Sequence, residues 1–186
     1  ATLGDANGDG AVNTSDDEFV EMVNTGGVDE DISGWSLSDS FGVRHVFPNG
    51  TVVPAGCGIV IFGGGTPTGV FGGAVVQVAT GGTVGLNNAG DDIILKDPLD
   101  QVVFTVTYGA AGNNQSINLD PEIIGASYVD HSTIPAAASA LFSPGTLVDG
   151  STFSGCTLPA CAITLSAEST NCITFTAGNT DTYDLS

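Results

Sequence analysis

Residues 92–108 read Asp-Ile-Ile-Leu-Lys-Asp-Pro-Leu-Asp-Gln-Val-Val-Phe-Thr-Val-Thr-Tyr and predict a β-hairpin. Residues 93–95 and 102–106 are short runs rich in β-branched and aromatic side chains, which favour strands. Residues 97–100 between them (Asp-Pro-Leu-Asp) are typical of a turn, because Pro fixes its own φ and Asp side chains bind nearby backbone amides. We therefore expect two antiparallel strands here.

Short β-rich runs of this kind recur along the chain, whereas helical periodicity is almost absent. Residues 58–62 (Gly-Ile-Val-Ile-Phe) are apolar throughout, as in a central strand that is covered on both faces. In residues 43–47, Val43, His45 and Phe47 alternate with polar or smaller side chains, so His45 is predicted to lie in the core. Further strands are expected at 18–24, 35–39, 74–78 and 127–130. The pattern predicts an all-β, antiparallel sandwich or barrel.

The charge balance excludes several partners. The chain has 186 residues with 21 acids and two bases, Arg44 and Lys96, which gives a formal net charge of −19. Two cations cannot neutralise a row of phosphates, so we expect no nucleic-acid partner. No apolar run approaches the ~20 residues that a membrane helix needs, so we expect no membrane insertion either.

Four cysteines, Cys57, Cys156, Cys161 and Cys172, point to an oxidising compartment. None forms a Cys-x-x-Cys motif and neither histidine lies near them, so their spacing fits no zinc site. An even number suggests two disulfides in an extracellular protein. Three connectivities are possible, and we favour Cys57 with Cys156 and Cys161 with Cys172. The alternative is four buried free thiols.

Residues 5–16 (Asp-Ala-Asn-Gly-Asp-Gly-Ala-Val-Asn-Thr-Ser-Asp) follow the pattern of an oxygen-rich calcium loop. Ca²⁺ takes six to eight oxygen ligands, and alternate positions of such a loop turn their oxygens inward. Gly10 permits the sharp turn, and Asn13 would bind directly or through water. The candidate ligands are Asp5, Asn7, Asp9, the carbonyl of Ala11, and Asp16, with Asp17 as a possible replacement for Asp16.

The loop is similar to those of dockerins and other EF-hand-like bacterial repeats. It departs from them because no helix precedes it and a strand is predicted directly after it. It is therefore interpreted as a structural calcium site that holds the N-terminus against the sandwich, rather than as a calcium sensor. Its Kd for Ca²⁺ is expected to be on the order of 10⁻⁴ to 10⁻³ M. The alternative is a solvated Asn/Asp/Gly loop without an ion.

Residues 17–150 resemble a lamin tail domain of the bacterial, secreted kind. The matching stretches contain the Gly-Trp-Ser-Leu-Ser-Asp, Phe-Pro-Asn-Gly-Thr and Asn-Asn-Ala-Gly-Asp-Asp-Ile-Ile-Leu-Lys sequences, and they lie at 17–25, 31–39, 45–56, 59–64, 85–96, 108–109 and 143–145. The resemblance implies an immunoglobulin-like β-sandwich without a catalytic site. It also implies a role in attachment or assembly at the bacterial surface.

The chain divides into a calcium loop (1–17), a sandwich (18–155) and a C-terminal segment (156–186). In the last part, residues 162–166, 172–176 and 181–185 look like strands, and two or three strands alone cannot close a core. They are either the start of an immunoglobulin-like repeat or donor strands that pair with another sheet.

These features favour a non-enzymatic, calcium-stabilised subunit of a bacterial surface filament, layer or adhesin. Its expected partners are other copies of itself or other surface β-domains. The alternative is an attachment or glycan- or cell-wall-binding module of a larger secreted protein. The candidate catalytic groups are Asp91 and Asp92, and His131 beside Asp130, but turn and structural roles suit them better, so no catalytic residue is predicted.

Overall fold

A computed structural model describes residues 4–112, 114–158, 175–176 and 182–183. The fold is all-β, with short 3₁₀ turns at Phe71–Gly73, His131–Thr133 and Pro135–Ala137. None of the helical turns in these ranges has the length or apolar character to cross a bilayer. The strands are β1 (Phe19–Val23), β2 (Glu30–Asp31), β3 (Ser36–Asp39), β4 (Gly42–Val46), β5 (Val52–Val53), β6 (Gly58–Phe62), β7 (Val75–Val78), β8 (Asp91–Lys96), β9 (Val102–Tyr108), β10 (Ile117–Asp120), β11 (Ser127–Asp130), β12 (Phe175–Thr176) and β13 (Thr182–Tyr183).

Two sheets form the sandwich, and they confirm the predicted fold class. One sheet has the order β1-β6-β7 and the other the order β4-β3-β8-β9. The strand pairs are antiparallel except for β6 and β7, which run parallel, contrary to the expectation of an antiparallel sandwich throughout. The reason is the long connection at 63–74, which carries the chain back before β7 begins.

Strand β6 is buried on both faces, as its continuous apolar sequence predicts. Ile59 and Ile61 lie in the main core between the two sheets, and Trp35 packs partly buried against that core. Val60 and Phe62 point the other way into a second cluster with Ala6, beside the N-terminal loop. The N-terminal loop therefore covers the outer face of the three-stranded sheet.

The predicted hairpin is present as β8 and β9. Ile93 faces Val106 and Leu95 faces Phe104 across the pair. In the turn, the Asp97 carboxylate accepts hydrogen bonds from the N–H groups two and four residues later, at 2.8 and 2.9 Å. This is the local side chain to backbone bonding that favours Asp in turns.

His45 is buried, as predicted, and its ring packs edge-on against Phe47 at 4.6 Å between centroids. Val43 was expected on the same face but is 55 % exposed. The cause is a β-bulge, because Leu37 pairs with His45 while the next residue of β3 pairs with Val43. Arg44 is the extra residue on β4, and it turns the side chain of Val43 to the opposite face of the sheet.

A separate hairpin, β10 and β11, follows the sandwich. Residues 127–130 were predicted as a strand, whereas β10 was not. At the C-terminus, β12 pairs with β13. The remaining predicted strand residues, including 162–166, lie outside the described residues.

The disulfide between Cys57 and Cys156 confirms the predicted pairing. It joins residues 99 positions apart, with their Cα atoms 4.6 Å from each other. It fixes the chain after β11 to the start of β6. The predicted pair Cys161–Cys172 lies outside the described residues.

Candidate calcium site

The N-terminal loop is fixed to the sandwich by the segment that follows β6. The N–H of Thr68 donates to the carbonyl of Asn7 at 2.9 Å, and the Asn7 amide donates to the carbonyl of Gly64 at 3.3 Å. The N–H of Thr66 donates to Oδ2 of Asp9 at 3.2 Å. Residues about sixty positions apart in sequence thus build one site.

Within the loop, the first three candidate ligands turn their oxygens toward the loop's own backbone. Oδ2 of Asp5 accepts from the N–H of Gly10 at 3.1 Å, and Oδ1 of Asn7 accepts from the N–H of Asp9 at 3.0 Å. Oδ1 of Asp9 accepts from the N–H of Ala11 at 2.9 Å. These local side chain to backbone hydrogen bonds stabilise the tight course of the loop.

The electrostatics of Asp9 favour its charged form. The backbone N–H groups of Ala11 and Thr66 lower the pKa of Asp9; desolvation opposes them, and the Asn7 amide adds to the lowering. A carboxylate that accepts several N–H bonds stays ionised and available to a cation.

Asp17 rather than Asp16 closes the loop onto its backbone. Asp17 is buried, its Oδ1 accepts from the N–H of Asn7 at 3.2 Å, and its Oδ2 accepts from the N–H of Asn13 at 2.8 Å. Asp16 instead accepts from the side-chain amide of Asn13 at 2.8 Å. The two adjacent acids therefore have different roles in this conformation.

Asp5 carries the one feature of the loop that points to a ligand. The residue is 6 % exposed, and its buried Oδ1 has no hydrogen-bond partner among residues 4–112 and 114–158. A buried carboxylate oxygen without a donor is costly, and a cation would offset that cost. In the same ranges no three Asp, Glu, His or Cys side chains converge as a ready-made metal cage. The fit to Ca²⁺ therefore depends on amide and main-chain oxygens as well as carboxylates.

Gly65 is a site residue that the sequence analysis missed. Its φ is +71°, and a Cβ on it would collide with Nδ2 of Asn7 and Oδ2 of Asp9. Only glycine allows the backbone to approach the loop this closely. The Gly-Gly-Gly run at 63–65 was the available signal, because glycine runs often mark close approach of backbone to a site.

The candidate catalytic groups make structural hydrogen bonds, although Nε2 of His131 and Oδ2 of Asp91 are buried without a partner among the described residues. His131 is fully buried, with Nδ1 2.9 Å from Oδ1 of Asn118, and burial lowers its pKa. The neighbouring Ser132 hydroxyl donates to the Gln115 side chain rather than toward His131. Oδ1 of Asp92 accepts from the hydroxyl of Thr107 at 2.5 Å.

The family comparison matches the lamin tail domain over residues 4–110, from the N-terminal loop through β9. The chain belongs to the lamin tail domain family. Lamin tail domains are immunoglobulin-like and generally non-catalytic, and the immunoglobulin-like fold of the family agrees with the sandwich. No curated protein matches the chain. The match to the lamin tail domain ends before β10.

Proposed function

We propose that this chain is a non-enzymatic, calcium-stabilised structural domain that works outside the cell, as a subunit of a bacterial surface filament, layer or adhesin. Its partners are other copies of the chain or other surface β-domains, reached by β-strand addition of its C-terminal segment. Membership of a generally non-catalytic family supports the structural role. The Cys57–Cys156 disulfide supports the extracellular location.

The observation that carries the calcium part is the unpartnered, buried Oδ1 of Asp5 in a loop that follows calcium-loop spacing. Bound Ca²⁺ would join Asp5, Asn7 and Asp9 and so hold the loop against the segment at 63–68. The net charge of −19 supports a cation-rich setting, because like-charged subunits repel unless bound or dissolved cations screen them.

Thermal unfolding with calcium or with a chelator tests the site. A ligand that binds only the folded state stabilises it by about 2.7 kcal/mol at 100 times its Kd, so Tm should rise with calcium concentration. Magnesium at equal ionic strength should raise Tm less, because it keeps its water ligands and demands octahedral geometry. Equal effects of the two ions would indicate charge screening alone.

Asp9→Asn and Asp31→Asn form a matched pair for that test. Each carboxylate accepts a hydrogen bond from the N–H two residues later, Ala11 and Ser33 respectively, and each change removes one negative charge. The Asp9 variant should lose most of the calcium response, whereas the Asp31 variant should keep it. Equal loss in both variants would contradict a site in the loop.

Electron microscopy and sedimentation of the full chain test the assembly part. In millimolar calcium we expect oligomers or filaments that shorten or disperse on chelation. Strictly monomeric particles at all calcium concentrations, with residues 162–185 packed on their own domain, would contradict it.

Attachment to glycans or a cell wall is less well supported. Flat binding platforms need exposed aromatic rings, yet Trp35 packs against the core and the Tyr108 hydroxyl donates to the carbonyl of Asn87 at 3.2 Å. Tyr128 is 37 % exposed and is the tyrosine to test first. A glycan array that binds wild type but not Tyr128→Ala would favour this alternative.

A further inference from the structure

An apolar cleft of about 1000 Å³ opens at one edge of the sandwich, beside β1 and β9. We call it the edge cleft. Its apolar walls include Val20, Met22, Phe104, Val106, Ile117 and Leu119.

The cleft exists because the two sheets differ in width on this side. Val20 and Met22 of β1 pair with Ile61 and Ile59, so they face the main core. Phe104 pairs with Leu95, which packs on the same core, so Phe104 also points between the sheets. Nevertheless Phe104 is 60 % exposed. The sheet opposite it lacks a strand that would cover it.

Three strands border the cleft, β1, β9 and β10, and the first two each have a free edge. In the described part of the chain, β1 pairs only with β6 and β9 pairs only with β8. A free strand edge presents unpaired N–H and C=O groups and can pair with a further strand. A small apolar ligand would fill the volume but leave these backbone groups unpaired, so the cleft suits a peptide strand better.

We propose that the edge cleft accepts residues 162–166 of a second copy of the chain as an added strand along the free edge of β1. This proposal rests on the proposed assembly function and names its acceptor site. Residues 162–166 read Ala-Ile-Thr-Leu-Ser, so Ile163 and Leu165 would lie on one face of the strand. That face would cover Phe104 and Val106, as in donor-strand complementation.

The length and course of the chain agree with donation to a neighbour. Residues 159–161 separate Leu158 from the donor segment, a reach of about 13 Å when extended, so the free edge of β1 in the acceptor copy must lie within that distance of Leu158. Cys156 is tied to Cys57, and Leu158 lies against Gly73 just before β7. The segment therefore leaves on the side of the sheet opposite β1. A copy placed alongside receives it without the segment turning back across its own sheet.

Photo-cross-linking of the full chain in calcium tests the proposal. A photoreactive phenylalanine analogue replaces Phe104, or Val103 as the matched control, which lies on the opposite face of β9 and is 49 % exposed. Mixed ¹⁴N- and ¹⁵N-labelled chains distinguish cross-links within a copy from those between copies. We expect cross-links between copies from position 104 to peptides within 159–186, and few from position 103.

Other outcomes overturn the proposal in distinguishable ways. Oligomers without cross-links from 104 to 159–186 would overturn the edge cleft as acceptor but leave assembly intact. Cross-links only within a copy, or to a co-purified lipid, would overturn donation by a second copy. Monomers without cross-links would overturn both the acceptor and the proposed assembly.

A charge placed in the cleft gives an independent measurement of the same contact. Phe104→Glu should raise the dissociation constant of self-association by ~10-fold or more, because a strand would bury the new carboxylate. Val103→Glu adds the same charge on the outer face and should change it by less than about twofold. Equal changes in the two variants would overturn the proposal, and circular dichroism establishes that both variants fold.

Discussion

Asp39 and Arg44 form an ion pair in which one carboxylate oxygen accepts two guanidinium N–H groups, from Nη2 at 2.6 Å and from Nε at 2.8 Å. The Asp39 side chain is 1 % exposed. Arg44 is also the extra residue of the β-bulge between β3 and β4. The bulge therefore brings one of only two cations in the chain onto a buried acid.

Arg44→Ala should lower the free energy of unfolding by about 1–3 kcal/mol, because it leaves a buried carboxylate without its countercharge. Lys96→Ala is the matched control, since Lys96 pairs with Asp100, whose side chain is 82 % exposed. An exposed pair contributes little, so this change should be below about 1 kcal/mol. Urea unfolding followed by circular dichroism measures both. Equal losses would contradict the assigned role of Arg44.

The ion pair of Asp39 and Arg44 also predicts how the stability of the protein depends on pH. Burial raises the pKa of Asp39, but the Arg44 hydrogen bonds, the N–H groups of Phe41 and Gly42 and the Arg44 charge together lower it below its ordinary value. A lowered folded pKa contributes stability above the unfolded pKa, and this stability is lost as the pH falls through the folded pKa. The deficit of Arg44→Ala should therefore shrink below about pH 4. A deficit that stays constant from pH 7 to pH 2 would exclude Asp39 as the cause.

Glu21 predicts the opposite dependence. Burial raises its pKa to about 8, with the charge of Glu122 adding to the shift and the N–H of Gly145 opposing it. Because the folded pKa is raised, its contribution is fully present below pH 4.5 and is lost as the pH rises through about 8. Glu21→Gln should gain stability relative to wild type across that range, by on the order of 3 kcal/mol.

Unfolding experiments from pH 4.5 to pH 8 measure this gain. Glu30→Gln, which changes an exposed acid on β2, is the control and should leave the pH slope unchanged. Parallel stability curves for wild type and Glu21→Gln would show that the Glu21 carboxylate is not desolvated.

The disulfide makes a separate contribution. The double change of Cys57 and Cys156 to Ala should lower the free energy of unfolding by about 2–5 kcal/mol, because the bond closes a long loop in the unfolded chain. Changing Cys161 and Cys172 to Ser is the control for general loss of thiols or of the other predicted bond. Peptide mapping without reductant should recover Cys57 joined to Cys156. Cys57 joined to Cys161 or Cys172 would contradict the fold near β6.

Gly65→Ala should damage the calcium site more than Gly82→Ala does. Both glycines have positive φ, +71° and +76°, so both changes carry backbone strain of about 1–3 kcal/mol. Only at Gly65 would the new Cβ also collide, with Asn7 and Asp9, whereas Gly82 has open space around it. Calcium titration by calorimetry should show weaker binding for Gly65→Ala alone. Unchanged binding would place the ion elsewhere.

The sequence predicted the strands well where a segment is continuously apolar or carries a clear turn motif. The apolar run of β6 and the Asp-Pro-Leu-Asp turn between β8 and β9 fixed two elements. Strand β10 (Ile-Asn-Leu-Asp) was missed because half of its residues are Asn and Asp, which are depleted in strands. The outward Val43 could not be predicted, since a bulge depends on how two strands pair rather than on either sequence alone.

In the candidate site, too, the contacts within one segment were predictable from the sequence, whereas contacts between distant segments were not. The spacing of Asp5, Asn7 and Asp9 is local and was read from the sequence. The contact between Asp9 and Thr66 joins residues 57 positions apart, because the connection between β6 and β7 passes beside the loop. The sequence pattern of one segment cannot predict a contact with a residue so far along the chain.

The Cys57–Cys156 bond has a mechanical consequence when the chain is pulled. Tension applied at the C-terminal segment enters the domain at Cys156 and passes directly to Cys57 at the start of β6. The chain between the two cysteines, including β6 to β11, cannot lengthen while the bond is intact. Stretching can then release only the strands before Cys57 and the residues after Cys156, so the force bypasses the larger part of the domain, which does not extend.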